Sequence, residues 1–278
     1  MSATLVDFPT GAVSGSGTVQ RVEVLSDAVA VIVDRTPFHP VDPTWPDQPA
    51  DSGTLDGRPV LDTRVGAIDA AGSLVVGDSI TVRRGDPECT WVVVHVMADG
   101  DSPEVGDVVE LRVDEQRRAA LSRAHTACHV AALALNSVVA GLWRKEVTRD
   151  SIGNPDFDKI ALTESRMVPD QARDTYRLGK SLRKKGFDSA GFREDLEDVA
   201  RRVNAQIQTW VDAGAEVEIE AEGPHLTDMR YWCCRVPEGT FRIACGGTHV
   251  SSLRELGAVR VHYETPDDST VVAVTSVE

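Results

Sequence analysis

Residues 114–144 read DEQRRAALSRAHTACHVAALALNSVVAGLWR, and the character of the chain changes at this stretch. The stretch contains no proline, and its single glycine, Gly141, lies near its end. Apolar and small residues recur in it at the spacing of one helix face: Leu121, Ala124, Cys128, Ala132 and Leu135. The stretch therefore predicts a long helix that begins at about Asp114.

The sequence before this helix has the pattern of a β-rich domain. Val-rich runs at residues 28–34, 91–97 and 105–113 alternate with turn-forming Gly-Asp pairs such as Gly77-Asp78. Many short strands joined by tight turns are typical of a small barrel or sandwich. Residues 1–113 are therefore expected to form a small N-terminal β-barrel-like domain, with a long Pro-rich loop at residues 37–59.

The sequence from residue 114 to residue 278 predicts an α+β domain, so the fold class of the chain is α+β. A second helix is predicted at residues 193–213, where apolar residues again share one face. Strands are predicted at residues 216–221, 228–236, 241–244, 259–263 and 271–277. Residues 146–192 are polar and interrupted by glycine, so we expect an irregular, insertion-like segment there.

The composition of the 278 residues narrows the class of protein. Hydrophobic residues make up 41% of the chain, an ordinary globular value. No apolar run approaches the roughly 18 residues of a membrane span, and the N-terminus lacks the basic and apolar regions of a secretory signal. Five cysteines, two of them adjacent, favour a reduced compartment over a disulfide framework. We therefore expect a cytoplasmic protein with no membrane partner.

Two short motifs predict a zinc site. His125 and His129 lie four residues apart in the predicted helix, so both imidazoles point to the same side. Cys245 and His249 lie four apart in CGGTH, and thiolate and imidazole are the ligands that zinc takes. The alternative is that Cys245 is a core thiol and His249 an ordinary surface residue. Cys128 is better interpreted as a core thiol than as a fifth ligand.

HTACH followed more than 100 residues later by CGGTHV resembles the alanyl-tRNA editing domain. That domain occurs inside alanyl-tRNA synthetase and in free-standing proteins called AlaX, and it is related to the editing domain of threonyl-tRNA synthetase. Arg117-Arg118 matches the arginine-containing start of the family's helix. Asp34-Arg-Thr-Pro-Phe38 resembles the family's D-x-T-x-F-Y-P stretch, and Gln48-Pro-Ala-Asp51-Ser-Gly53 resembles its G-G-Q-x-x-D-x-G segment.

The resemblance implies a zinc-dependent, free-standing trans-editing hydrolase that deacylates mischarged tRNA. Its substrate would be Ser-tRNA(Ala) or Gly-tRNA(Ala). Thr36 and Gln48 are the candidates to fix the substrate amine or the attacking water, and Thr36 is the residue we expect at the serine hydroxyl. For each of them the alternative is a polar residue that only stabilises its loop. Four protein ligands would leave no open position in a tetrahedral zinc site. Either one of the four is only a nearby group, or the metal takes a fifth ligand, or its role is structural, and the sequence does not choose among these.

The chain departs from the family pattern at several positions, above all in the loop before Gln48. Residues 41–47 read VDPTWPD where the family has a glycine-rich loop, and His39 stands where the family has Tyr. These departures motivate an alternative, a zinc hydrolase of the same fold that acts on another aminoacyl ester in a biosynthetic pathway. A further alternative is a non-catalytic aminoacyl-tRNA-binding module with structural zinc.

The net charge of −15 disfavours non-specific binding to a polyanion, so a tRNA partner needs a local basic patch. The densest basic run is RDTYRLGKSLRKK, residues 173–185, with six basic residues and one acidic residue. Arg183, Lys184 and Lys185 are therefore predicted to contact tRNA phosphates. The alternative is that the run is a solvated helix face.

Overall fold

A computed structural model describes residues 1–25, 27–100 and 102–278, and it shows a mixed α+β fold dominated by strands. The helices are α1 (Glu115–Val138), α2 (Phe157–Ala161), α3 (Lys180–Lys184), α4 (Ser189–Glu194) and α5 (Leu196–Ala213). The strands are β1 (Leu5–Val6), β2 (Ser14–Val24), β3 (Ala28–Val33), β4 (Arg35–Thr36), β5 (Gly53–Leu55), β6 (Arg58–Ile68), β7 (Leu74–Val76), β8 (Thr90–Ala98), β9 (Val108–Val113), β10 (Leu162–Val168), β11 (Gln171–Arg177), β12 (Glu216–Ala221), β13 (Arg230–Val236), β14 (Gly239–Ala244), β15 (Val259–Asp267) and β16 (Thr270–Val277).

The chain folds into two compact units, each built from more than one stretch of sequence. The first comprises Met1–Ala119, Ile219–Tyr231 and Cys245–Thr248. The second comprises Ala120–Glu218, Trp232–Ala244 and His249–Glu278. The division into domains at residues 113 and 114 stays a prediction.

The first unit is built on an antiparallel sheet with the strand order β5-β9-β2-β3-β8-β6-β7, in which β5 also pairs with β6. Strand β9 shows why these residues form a sheet. Val109, Leu111 and Val113 are buried, and the residues between them are exposed, as the period of two predicts. Gly53 lies where β5 approaches β9 closely, because a Cβ there would be 2.1 Å from the Arg112 carbonyl oxygen.

The second unit contains a four-stranded sheet with the order β10-β11-β16-β15. On β11 the buried residues Ala172, Asp174 and Tyr176 alternate with residues that are more exposed. Helix α5 buries Val199, Val203, Ile207 and Trp210, which recur at helical spacing. It ends at Ala213, and the next residue, Gly214, has a φ of 66°, the left-handed conformation that favours glycine at a helix C-terminus.

The long helix and the second helix are where the sequence predicts them, although α1 ends at Val138 and a short 3₁₀ turn, Ala140–Leu142, follows it. The prediction of an irregular segment at residues 146–192 is wrong. That part of the chain contains regular elements: α2, β10, β11, α3 and the start of α4. The sequence pattern misses strands β10 and β11 because their buried face includes the polar residues Ser165 and Asp174. No helix in the described part of the chain is long and apolar enough to span a membrane.

Candidate metal centre and substrate site

Three histidine rings meet in the second unit. His125 and His129 lie one turn apart on α1, and their ring centroids are 4.8 Å apart. The His249 ring lies 4.3 Å from the His125 ring and 5.2 Å from the His129 ring. The helix period therefore places two imidazoles beside a third that comes from a distant part of the sequence.

Cys245 lies four residues before His249 and completes the group. One ligand atom from each of His125, His129, Cys245 and His249 lies within 4.8 Å of every other. Imidazole nitrogen and thiolate sulfur are the donor types that zinc takes, usually four at a time. The residues present therefore fit a zinc ion, and they are the four that the two motifs predict.

One of the four predicted ligands, His249, is hydrogen-bonded to Thr126, a residue that the sequence analysis did not single out. The Thr126 hydroxyl oxygen lies 3.1 Å from Nδ1 of His249, and the amide of Val250 donates to the same oxygen at 3.2 Å. A hydrogen bond at Nδ1 orients an imidazole and leaves Nε2 as its metal-binding atom. Thr126 gave no signal in the sequence because its partner lies 123 residues away.

The two cysteines of the motifs differ in their surroundings. Burial and the nearby Asp47 raise the pKa of the Cys245 thiol to about 12, while Arg230 opposes this shift. Cys128 packs with Met167 and Ala172, and its sulfur lies 3.2 Å from a carboxylate oxygen of Asp174. Burial raises the pKa of Cys128 well above its ordinary value, and Cys128 is not among the four residues of the metal group.

The predicted substrate residue Thr36 is fully buried in the first unit. Its hydroxyl oxygen lies 2.9 Å from Nε2 of His95 and accepts a hydrogen bond from the amide of Phe38 at 3.1 Å. Burial lowers the pKa of His95 to about 4, so its imidazole is neutral at pH 7. His95, 59 residues away, is a second residue that the sequence did not reveal.

Gln48 is also buried, and its side-chain amide engages Thr248 in both directions. The Gln48 Nε2 group donates to the Thr248 hydroxyl at 2.9 Å, and the Thr248 amide donates to Gln48 Oε1 at 2.9 Å. The structure therefore ties Gln48 to the CGGTH loop, directly before His249. Its role in catalysis stays a prediction.

No family model matches the chain. Comparison with curated proteins finds the alanyl-tRNA editing protein AlaX-M of Pyrococcus horikoshii. It is 29% identical over 232 residues, which cover 83% of this chain and 78% of that protein. The chain resembles the alanyl-tRNA editing proteins.

Alanine–tRNA ligases also match most of the chain. The ligase of Caldivirga maquilingensis is 27% identical over 83% of this chain, and that of a Roseiflexus species is 29% identical over 91%. The chain spans 22% and 27% of the length of these two ligases. The resemblance inferred from the HTACH and CGGTHV motifs is therefore confirmed over most of the chain.

In a protein that resembles alanyl-tRNA editing proteins, the place of the basic run matters. The run does not form one helix, because Arg173 lies on β11 and Arg183 on α3. The Arg173 guanidinium pairs with Glu264 at 2.6 Å. Arg183, Lys184 and Lys185 are exposed at the end of α3, an element that supplies none of the metal ligands. Their contact with tRNA stays a prediction.

The segments that resemble the editing family also contain a buried ion pair. The Arg118 guanidinium bonds both carboxylate oxygens of Asp51, and it donates to the Pro37 carbonyl at 2.8 Å. The amide of His39 donates to the same carboxylate at 2.6 Å. Arg118 and Asp51 therefore hold the backbone that directly follows Thr36.

Proposed function

We propose that this chain is a zinc-dependent hydrolase that deacylates mischarged tRNA, with Ser-tRNA(Ala) or Gly-tRNA(Ala) as its substrate. The observation that carries the proposal is the meeting of His125, His129, Cys245 and His249 in one group. The similarity to AlaX-M over 83% of the chain supports it. Mischarged tRNA is then the partner, and the cytoplasm is the place of the reaction.

The four ligand residues would hold the zinc ion, which when bound supplies a positive charge that can polarise an ester carbonyl, polarise water or bind a free α-amine. Thr126 keeps the His249 imidazole oriented for this purpose. Gln48 keeps the CGGTH loop in place through Thr248. Its amide is also the group that we propose to orient the water or the substrate amine.

Thr36 is the residue that we propose to recognise serine. Because His95 donates from Nδ1 to the Val31 carbonyl at 3.1 Å, its Nε2 is left as an acceptor. The Thr36 hydroxyl therefore donates to His95 and has only an acceptor position left. A serine hydroxyl can donate to that position, and an alanine methyl group cannot.

We propose further that the sheet of the first unit closes into a small barrel. The pairings run from β5 through β9, β2, β3 and β8 to β6, and β5 pairs with β6. A closed sheet has no free edges at this point, which gives the segment around Thr36 and Gln48 a rigid support. The tRNA itself is held by Arg183, Lys184 and Lys185.

One observation favours the second candidate, a hydrolase of the same fold for another aminoacyl ester. The loop that replaces the family's glycine-rich segment is tied down, because Asp42 pairs with Arg84. Arg84 in turn donates to the Leu226 carbonyl at 2.9 Å. A loop held in this way presents Trp45, which is 46% exposed, instead of a flexible glycine backbone.

A deacylation panel tests the proposal. The zinc-loaded protein is incubated with Ser-, Gly- and Ala-tRNA(Ala) and with mischarged tRNAs of other identities. We expect hydrolysis of Ser- or Gly-tRNA(Ala), none of Ala-tRNA(Ala), and loss of the reaction in His129→Ala. Hydrolysis of another aminoacyl ester alone would establish the second candidate. Binding of aminoacyl-tRNA without hydrolysis would establish a non-catalytic module.

A further inference from the structure

Trp232 is a fully buried residue that touches two of the predicted metal ligands. Its ring centroid lies 5.1 Å from that of His129, with the rings inclined at 48°. The distance to the His249 ring is 6.0 Å, with an inclination of 47°. The indole has an exposure of 0%, and all three residues belong to the second unit. Trp232 is therefore packed against the ligand rings.

The strand that carries Trp232 is well fixed. Strand β13 is the central strand of the sheet β12-β13-β14, so it has a neighbour on each side. The register of a strand with buried side chains is strongly specified, because a slip of one residue would turn those side chains to the other face. The position of the indole relative to the His129 and His249 rings is therefore set by the fold.

The indole Nε1–H of Trp232 has no hydrogen-bond acceptor within the part of the chain that the structure describes. Trp210, with an exposure of 1%, differs because its Nε1–H donates to a carboxylate oxygen of Glu238 at 2.9 Å. Trp143 also has no acceptor among the described residues, but it is less buried than Trp232, and its ring packs against Phe187 and not against a metal ligand. A buried donor without an acceptor is destabilising, so a purely apolar packing role would favour Phe or Leu at position 232.

We propose that Trp232 is a positioning residue of the metal centre. Its ring holds the His129 and His249 imidazoles in the arrangement that receives the metal. Its Nε1–H donates a hydrogen bond to an oxygen of the ligand that binds at this centre, such as the carbonyl oxygen of the aminoacyl group. This inference rests on the proposed zinc site and deepens it, because it names a donor that neither sequence motif contains.

Two substitutions separate the contributions of the ring and the N–H group. Trp232→Phe keeps an aromatic ring and removes the donor, and Trp232→Leu removes the ring. Trp210→Phe and Trp210→Leu are the matched controls, because Trp210 is equally buried and packs against Phe241 at 5.4 Å. Zinc affinity is measured by competition with a chromophoric chelator. Binding of an oxygen ligand is measured by titrating the Co²⁺-loaded protein with acetohydroxamate and recording the visible spectrum.

We expect Trp232→Phe to bind metal within about threefold of the parent affinity and acetohydroxamate about tenfold more weakly, the loss that one hydrogen bond predicts. Trp232→Leu should bind zinc at least about tenfold more weakly. The Trp210 variants should lose thermal stability and keep both affinities. Parent-like acetohydroxamate binding in Trp232→Phe would overturn the inference, and this variant decides it even where Trp232→Leu does not fold.

The same experiment separates this inference from the proposed function. A parent protein that binds no zinc would overturn the zinc site and, with it, the role of Trp232. A parent protein that binds zinc but no acetohydroxamate would overturn only the role of Trp232, and so would a Trp232→Phe variant that binds acetohydroxamate as tightly as the parent does.

Discussion

The Thr36 hydroxyl oxygen lies 2.9 Å from Nε2 of His95, and this contact decides which way the hydroxyl can act. The other ring nitrogen of His95 faces the Val31 carbonyl, which can only accept. A neutral imidazole that donates there must accept at Nε2, so the proton of Thr36 is directed at His95. The oxygen of Thr36 is left to accept from whatever binds next to it.

Replacing Thr36 should therefore change selectivity more than overall rate. In Thr36→Val we expect deacylation of Ser-tRNA(Ala) to fall by about tenfold relative to Gly-tRNA(Ala), because only serine carries a side-chain hydroxyl that can donate. The ratio of the two kcat/KM values is the measurement. Thr4→Val is the control, since Thr4 is equally buried and its hydroxyl donates to the Val33 carbonyl at 3.2 Å. An unchanged ratio in Thr36→Val would exclude Thr36 from substrate recognition.

The metal group predicts a clear difference between the two cysteines of the motifs. His129→Ala should lower zinc content sharply from about one ion per chain, and His129→Ala combined with Cys245→Ala should abolish it. Cys128→Ala should keep its zinc, because Cys128 lies outside the group. Metal analysis of the purified proteins checks this. Full zinc content in the double variant would contradict the proposed zinc site.

Gln48→Ala should lower the rate of deacylation and leave zinc bound. Its amide holds Thr248, which is not itself a ligand, so the four metal-binding side chains stay in place. Gln48→Glu is the companion variant, because it keeps an acceptor for the Thr248 amide and loses the donor to the Thr248 hydroxyl. The measurements are kcat, KM and zinc content. A parent-like kcat in Gln48→Ala would show that Gln48 only stabilises its loop.

The basic end of α3 can be tested by salt dependence. Replacing Arg183, Lys184 and Lys185 with Ala should weaken tRNA binding and flatten the slope of log K against log[salt] by about 2–3, because each lost phosphate contact removes roughly 0.7–0.9. Zinc content and hydrolysis of a minimal aminoacyl ester should not change. Arg144→Ala, which removes a charge already paired with Asp188, is the control. Equal slopes for the parent and the triple variant would show that these three residues do not contact tRNA phosphates and only form a solvated helix face.

Asp158 predicts a pH dependence of stability. Burial and the nearby Asp174 raise the pKa of Asp158 from 3.8 to about 7 in the folded chain, while a hydrogen bond from Tyr176 opposes this. A raised carboxyl pKa means that the folded state holds a proton that the unfolded state releases. This contribution to stability is present below about pH 4 and is lost as the pH rises towards 7.

Asp158→Asn should therefore unfold at a higher denaturant concentration than the parent at pH 8, by about 1–2 kcal/mol in free energy of unfolding. The amide keeps an acceptor for Tyr176. Denaturant titrations at several pH values check this, and the variant should show a flatter pH profile between pH 4 and 7. A pH profile identical to that of the parent would contradict the prediction.

What the sequence predicts correctly depends on short-range pattern. His125 and His129 lie one turn apart, and Cys245 and His249 lie in one five-residue motif, so periodicity and spacing suffice to find each pair. The contacts of Thr36 with His95 and of Asp51 with Arg118 join residues 59 and 67 positions apart. Such contacts depend on the tertiary fold, and neither composition nor periodicity contains them.

The fold shows the same division. Helices α1 and α5 follow from the apolar spacing of their buried residues. Strands β10 and β11 do not, because their buried face includes Ser165 and Asp174 and therefore lacks a clear apolar alternation. Polar residues in a buried face conceal a strand from any method that looks for hydrophobic period alone.

Helix α1 carries His125, Thr126 and His129 within five consecutive residues, and Thr126 reaches the third imidazole at His249. All three histidines therefore depend on the backbone of helix α1, two as its residues and the third through Thr126. Metal binding should then slow amide hydrogen exchange along this helix far beyond the ligands themselves. Conversely, opening of the helical turn that carries His125, Thr126 and His129 would displace two of the four ligand residues and free the His249 imidazole from Thr126.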